Sequence, residues 1–387
     1  MRKESRPRIA ALALRDFREG LTEGDVVMAC RRLWSFLAKF ATAASLQSAA
    51  LAMAGESAAS PFADLKRSPF AAESSEPSAN ELVDLTKPQS DDDVRLTDGA
   101  EFFDTGLVAS NGRLLGLFAH SDYAFRDFVT PVSNPLFFED PRTLTELRIH
   151  FANQWIPGSN PVFQGGNAQF LAAQIRVALT ERLSVIATKD GYIWLNPGNP
   201  GLAGSDGFAD IAAGLKYNLI RRPESQFLYS VGATFELDVG SHRVFQGLGD
   251  GEFHLFNSTG KEFFGGLAHW ISGSGLRLPA DSNTRSTMVY WSNQWDVKMT
   301  DNFYVVGGVN WFHWLEAGNN LPVNFEGMDL FNLGSTGVEG NDVVTSSLGL
   351  RYRFGCMNET GITWEVPVTD RRDLLESRLY VDLAIRF

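Results

Sequence analysis

The residues able to do chemistry are scattered in this chain, and their spacing points away from a reaction. The six histidines, His120, His150, His242, His254, His269 and His313, form no close pair at metal-ligand spacing. His120-Ser121-Asp122 places three triad residue types in a row, but triads assemble in space from separate segments. No G-x-S-x-G nucleophile turn is present. Gly249-Asp250-Gly251-Glu252 is a turn without the spaced acids of a calcium loop. Gly165-Gly166 and Gly265-Gly266 precede no helix, so they cradle no phosphate. The cysteines, Cys30 and Cys356, sit in no Cys/His cluster that could hold zinc. The sequence therefore predicts no catalytic residue, no metal and no cofactor, and hence no enzyme.

What does recur is charge at every second position. Glu146, Arg148, Arg176, Asp210, Lys216, Glu236, Asp296, Arg351, Arg353, Glu365, Arg378, Asp382 and Arg386 each alternate with apolar neighbours. Alternation is the signature of strands, whose successive side chains point to opposite faces. The clearest case is the terminal stretch, in which Leu379, Val381, Leu383, Ile385 and Phe387 interleave with Arg378, Tyr380, Asp382, Ala384 and Arg386. At ~3.3 Å per residue and a tilt near ~45°, such a strand rises roughly 25 Å, the height of an outer-membrane barrel's apolar band. It ends on an aromatic residue, as the assembly signal of bacterial outer-membrane barrels does. A cationic side chain facing lipid at mid-depth costs ~2–4 kcal/mol, so the thirteen alternating charges are predicted to face a lumen. Arg351, Arg353, Arg378 and Arg386 could form a basic ladder there, or pair with Glu365 and Asp382 on neighbouring strands.

Further strands are predicted from Thr143 onward, at about 143–156, 168–180, 183–195 (with a bulge near Lys189-Asp190-Gly191), 207–220, 226–239, 252–262, 264–278, 286–299, 302–315, 343–354 and 357–368. With the terminal strand they give an all-β, antiparallel transmembrane barrel of about twelve strands. Alternation is poor over 252–278, and reading 240–285 as one outer loop gives ten instead. Both numbers are even, and short connections fall alternately with long ones, as in single-chain bacterial barrels. Trp155, Trp194, Trp311, Trp314 and Tyr217 lie near strand ends, where interfacial girdles are expected. A soluble β-sandwich would also alternate, but with its apolar face buried.

The N-terminal side divides differently. Arg31-Arg32, the apolar run to Ala54 and the Ala52-Met53-Ala54 cleavage pattern describe a signal peptide, so 1–54 is read as an extension plus signal, with translation starting at Met28. Residues 55–100, rich in Ser, Ala, Glu, Asp and Pro, are predicted to be a disordered periplasmic linker. Residues 101–142 carry too many aromatics to float free and either pack at the periplasmic mouth or plug the lumen. Residues 143–387 form the barrel. The formal net charge of −12 argues against a nucleic-acid partner.

The run Asn134-Pro135-Leu136-Phe137-Phe138-Glu139-Asp140-Pro141-Arg142 into Thr145-Glu146-Leu147, with Ala187-Thr188-Lys189-Asp190-Gly191, Ala212-Ala213-Gly214-Leu215-Lys216-Tyr217 and the terminal strand, resembles planctomycete-type exported barrels. These are similar to the outer-membrane transporters of the MetA-pathway of phenol degradation family, distant relatives of the fatty-acid channel barrels. The resemblance covers about 130–387 and implies passive uptake of small, often apolar or aromatic molecules; it carries over no substrate-binding residue. The expected protein is a passive channel of the cell outer membrane, partnered by lipid, the barrel-assembly machinery and a small-molecule permeant. A barrel hydrolase and a structural anchor are the alternatives.

Overall fold

Strand alternation closes this chain into a cylinder. A computed structural model describes residues 118–387 apart from Cys356; the expected signal peptide with Ala52 and Ala54, the linker and the start of the 101–142 segment lie outside the described residues. The strands are β1 (Glu146–Trp155), β2 (Gly166–Ala178), β3 (Leu183–Lys189), β4 (Tyr192–Pro197), β5 (Ser205–Phe208), β6 (Ile211–Arg222), β7 (Phe227–Leu237), β8 (Glu252–Phe263), β9 (Ala268–Pro279), β10 (Thr287–Lys298), β11 (Phe303–Glu316), β12 (Asp342–Phe354), β13 (Asn358–Pro367) and β14 (Ser377–Arg386). All pair antiparallel in one sheet, and β14 closes on β1 from Glu146↔Arg386 to Trp155↔Ser377.

Fourteen strands make twelve staves. β3 and β4 pair in turn with the same strand, β2, and β5 and β6 pair with β4 and β3. Each couple is therefore one stave with a break. The first break falls at Asp190-Gly191, where a bulge was expected. Gly191 adopts φ 106°, a left-handed conformation that suits glycine. The Asp190 carboxylate accepts the Ala173 amide at 2.9 Å, giving that amide a partner where the ladder is interrupted.

The ten-strand alternative falls, because β8 and β9 pair along their whole length. Their weak alternation has a physical cause. Gly273 and Gly260 face inward where aromatic side chains press on the wall: a Cβ on Gly273 would lie 2.8 Å from the Phe138 ring, and one on Gly260 3.0 Å from Phe128. On the outside, Asn257, Ser272, Ser274 and Asn293 interrupt the apolar face. They are satisfied locally: Asn257 donates to Ser274 Oγ, Trp291 Nε1 to Ser272 Oγ and Trp270 Nε1 to Asn293 Oδ1. Lipid offers no partner, so such groups must pair within the protein.

Exposure settles which side faces lipid. Leu383 is 36% exposed while its neighbour Asp382 is 2% exposed. Leu171, Ile175, Leu215, Trp291, Trp295 and Leu348 are likewise exposed, and the arginines between such residues are buried. A soluble sandwich would show the reverse. The short connections, 179–182, 223–226, 264–267, 299–302 and 355–357, share one end with the Glu146↔Arg386 seam; the long loops share the other. By the convention of bacterial barrels the first end is periplasmic. Trp155, Trp194, Trp311 and Tyr217 lie on the outer face, but Trp314 is buried inside, packed with Phe312, Phe325 and Val338 beneath the β11–β12 loop. Its girdle assignment was wrong by parity: it shares the inward face of Phe312 and Asn310.

Leu383→Arg should lower barrel stability by ~2–4 kcal/mol in urea titrations in lipid vesicles. A loss below about 0.5 kcal/mol, the usual size of a neutral surface change, would mean this face does not meet lipid.

Candidate functional site

The lumen is filled from within the same chain. Ahead of β1, residues 118–145 enter at the periplasmic end, climb and return. Ala119 bridges to Ala178, and the Ser121 amide donates to Phe387 O at 2.8 Å. Asp122 caps a 3-10 turn over Tyr123–Phe125 and is held by Arg221 at 2.7 Å. The segment turns at Asn134, with φ 47°, whose carbonyl accepts the Phe137 and Phe138 amides. It then descends to Thr143, whose hydroxyl accepts from Asn218 at 2.9 Å. Pro131 and Pro135 lack amide hydrogens and favour extended neighbours, so this limb forms no sheet of its own. Its backbone polar groups pair instead with side chains of the wall: the Thr130 amide with Glu359, the Val132 amide with Gln294, and the Pro135 carbonyl with Gln174.

Ion pairs fasten this plug. Glu139 receives Arg176 at 2.7 Å and Lys216 at 2.8 Å. Arg176 also holds Glu146, which pairs with Arg386 across the closing seam, both at 2.8 Å. Asp382 takes Arg148 at 2.6 Å and Arg351 at 2.8 Å, and those arginines also donate to the plug carbonyls of Pro131 and Thr130. Arg353 reaches the Phe128 carbonyl and the Asp127 carboxylate. Nearer the outer end, Arg285 gathers Asp210, Glu236 and Asp238, and Lys189 shares Glu236. Arg378 pairs with Asp329 at 2.6 Å and lies 3.6 Å from Glu365, whose carboxylate accepts from Thr345 and Asn310. Asp296 accepts from, or donates to, His269 Nδ1 at 2.7 Å according to protonation.

All thirteen alternating charges thus sit buried on the inward face. They do not build the basic ladder. Arg351 meets Asp382 and Arg378 approaches Glu365, but Arg353 turns to the plug and Arg386 to Glu146 and Glu359. The terminal apolar set, Leu379, Val381, Leu383, Ile385 and Phe387, lies on the other face, half-buried or exposed. His120-Ser121-Asp122 has separate structural tasks, with Ser121 Oγ donating to Thr145 O at 3.0 Å. Glu252 pairs with Arg277 rather than opening to a calcium ligand set.

Sequence reasoning missed Glu139, Asp140, Arg142, Arg277, Arg285, Asp329 and Glu359. Glu359 shares the parity of Thr363 and Glu365 and was legible on that basis. Glu139, Asp140 and Asp329 lie on irregular chain, where no period marks a side chain as inward.

The outer end is closed by the 317–341 loop. Its Phe325, Met328, Leu330, Phe331 and Leu333 pack with Leu136 and Phe137 at the plug's tip. Glu326 is the keystone: it accepts from Ser286 Oγ at 2.8 Å and from the Leu333 and Ser335 amides at 2.7 and 2.9 Å. Its own amide donates to Asp373 of the β13–β14 loop at 2.9 Å. Asp373 is pushed up to about 7 by burial, with Glu326 nearby adding to the rise and Arg371 at 2.7 Å opposing it. Glu326 is raised as well, again chiefly by burial. Asp373 borders a surface cleft that Asn160, Asn324, Arg371 and Arg372 also line.

A closed cylinder with an apolar exterior, a charged and plugged interior, short turns at one end and long loops at the other defines an outer-membrane β-barrel protein. No family model and no curated protein matches the chain. Among solved structures it is similar to the COG4313 outer membrane channel from Pseudomonas putida F1, at 9% identity over 67% of this chain and 100% of that one, with a TM-score of 0.46. KdgM porin follows at 10% identity, covering 62% of this chain and 99% of that one, TM-score 0.36. The translocator domain of the autotransporter NalP from Neisseria meningitidis gives 11%, 66%, 92% and 0.36 in the same order. At these identities the likeness is one of fold alone.

The latch has a pH signature. Because the folded loop raises Asp373 from its ordinary 3.8 to about 7, the closed state takes up a proton more readily than the open one. Closure is therefore firmest below the ordinary value and weakens as pH rises through about 7. Amide exchange across 326–335 should quicken from pH 5 to pH 8 after correction for intrinsic rates, and Asp373→Asn should flatten that dependence. A pH-independent latch in the parent protein removes the assignment.

Proposed function

We propose that this protein is a gated, non-enzymatic outer-membrane channel for small molecules, opened by displacement of the 118–145 plug together with the 317–341 loop that closes the outer end. One observation carries the reading: the 118–145 segment, capped by the 317–341 loop, fills a lumen lined with charge over most of the wall, and beside the apolar packing of Phe125, Phe128, Val129, Val132 and Phe138 it is tied to that wall by hydrogen bonds and ion pairs. Water can replace the polar contacts group by group, so displacement exposes less apolar area than it would for a plug held by packing alone. The cost of freeing Glu139 is offset when Arg176 and Lys216 become hydrated; left buried and unpaired, each would be strongly unfavourable. The resemblance to transporters of the phenol-degradation type favours small, apolar or aromatic permeants. The terminal strand, ending on Phe387, would be the segment offered to the assembly machinery.

The hydrolase alternative has one feature in its favour, the buried His269–Asp296 pair. His269 Nε2, where a nucleophile would be expected, has no hydrogen-bond partner, and the ring lies 4.8 Å from that of Phe128. This arrangement supports the channel reading over acyl transfer, which needs a hydroxyl or thiol at that nitrogen. An anchor without transport would need no charged lumen opposite a removable segment.

Cysteines placed at Ser133 and Asn310, whose side chains touch at 3.4 Å, test the gate in a chain with Cys30 and Cys356 replaced by Ser. Oxidation should abolish single-channel steps in planar bilayers and a reductant should restore them. Equal conductance in both redox states, with the crosslink confirmed by mass, rules out plug movement as the gate; silence in both rules out a channel.

A further inference from the structure

Of fourteen buried side-chain polar atoms without a hydrogen-bond partner among the described residues, nine fall into two groups on β1 and β9–β14; the other five are on Asn134, Ser184, Asn218, Arg277 and Arg371. Among the described residues, His150 Nδ1 and Nε2, Tyr380 OH, Thr363 Oγ1 and Ser347 Oγ form one group on β1, β14, β13 and β12. His269 Nε2, Asp296 Oδ2, Tyr304 OH and Arg353 Nε form a second, nearer the periplasmic end, on β9 to β12. All eight side chains are more than nine-tenths buried. Leaving a buried polar group unsatisfied costs ~1–3 kcal/mol, so neighbouring unpartnered groups are places where polar molecules would be held.

Each group is contiguous. The His150 and Tyr380 rings are 5.8 Å apart, Tyr380 stands opposite Thr363, and Thr363 stands opposite Gly349. A Cβ on Gly349 would lie 2.4 Å from Thr363 Oγ1, and one on Gly308 2.7 Å from Ser347 Oγ and 3.2 Å from Ser133 Oγ of the plug. In the lower group, His269 and Tyr304 are 6.5 Å apart and Arg353 lies 4.9 Å over the Tyr304 ring. Between the groups, Val129 and Val132 of the plug pack on Val306 and Tyr304 of β11. On this side the ascending limb is tied to the wall through Thr130 with Glu359 and Arg351 and through the Phe128 carbonyl with Arg353, contacts that must part if this side is to open. On the other side the plug is fastened through Glu139 to β2 and β6.

We propose that the seam between the plug's ascending limb and the β11–β14 wall is a permeation route for small, uncharged, hydroxyl-bearing solutes, with Val129, Val132 and Val306 as its dry constriction. The upper group's imidazole and hydroxyls can each donate and accept, which suits a solute that does both. The flanking charges are already spent: Asp382 on Arg148 and Arg351, Glu365 on Thr345 and Asn310, Arg378 on Asp329. A charged solute would find no counter-ion without breaking one of these. Short apolar constrictions gate by excluding water, and adding a hydroxyl to one opens it.

The route rests on the channel reading, and the test separates the two. Full-length protein in liposomes is assayed for erythritol and gluconate flux by light scattering. Val132→Ser and Val306→Ser should each raise erythritol flux about tenfold, equivalent to ~1.4 kcal/mol of barrier, and leave gluconate unchanged. Adding Tyr380→Phe with Thr363→Val should reverse most of that gain. A heat-dependent gel shift checks that every variant is folded, and the near-isosteric Tyr380→Phe guards against loss of structure. An equal rise for both solutes, or no rise in folded variants, overturns the route. Glu139→Gln, which loosens the plug elsewhere, reports on the channel itself: if it passes solute while the valine variants do not, only the route fails. If it passes nothing, the channel reading fails with it.

Discussion

Charge compensation across the lumen is the interaction on which the rest of this structure depends. Lipid forces the charged set of every strand inward, and a barrel this narrow cannot leave so many ions apart. Each buried ion carries a desolvation penalty of several kcal/mol, which only a well-placed partner repays. The wall supplies part of the pairing, as in Asp382 with Arg148 and Arg351. The plug supplies the remainder through Glu139 and through the carbonyls of Phe128, Thr130 and Pro131. Remove the plug and the wall is left with guanidinium groups that only water can satisfy. On the proposed channel reading, a closed dry state and an open wet state are alternative solutions of the same electrostatic problem.

The two ends of the lumen are sealed by different physics. From the periplasmic side the seal is a segment whose backbone is woven into the wall by hydrogen bonds and whose Phe125, Phe128, Phe138, Val129 and Val132 pack against it. From the outside it is an aromatic and aliphatic loop whose fold is fixed by one carboxylate, Glu326, accepting three hydrogen bonds. The plug's Leu136 and Phe137 join the two seals in one apolar cluster. Movement at either end therefore disturbs the other, which gives the outer loops a physical means of influencing the plug.

Much of the fold was legible because lipid imposes a strict period of two. The strands with clean alternation, such as β7 and β14, stand close to where the sequence places them. Legibility failed where the period was overridden from inside. Gly260, Ile271 and Gly273 face inward without charge because Phe128 and Phe138 occupy that part of the lumen, so β8 and β9 read as weak strands. Trp314 was misassigned because an aromatic near a strand end is the same residue type whether it meets lipid headgroups or a folded loop. The site was half legible: the wall's contribution follows from parity, whereas Glu139, Asp140 and Asp329 lie on irregular chain. The choice between a plug and a mouth was open in the sequence, and coordinates make it for residues 118–142 alone.

The plug also lies immediately ahead of β1 in the chain, and this bears on how the cylinder is made. Synthesis delivers the counter-charges before it delivers the wall that requires them. The first and last strands meet through Glu146 with Arg386 and Arg148 with Asp382, and the plug's Thr130 hydroxyl touches Arg386 at that junction. The segment can thus serve as a mandrel around which the sheet is wound, holding the two edges in register until they join.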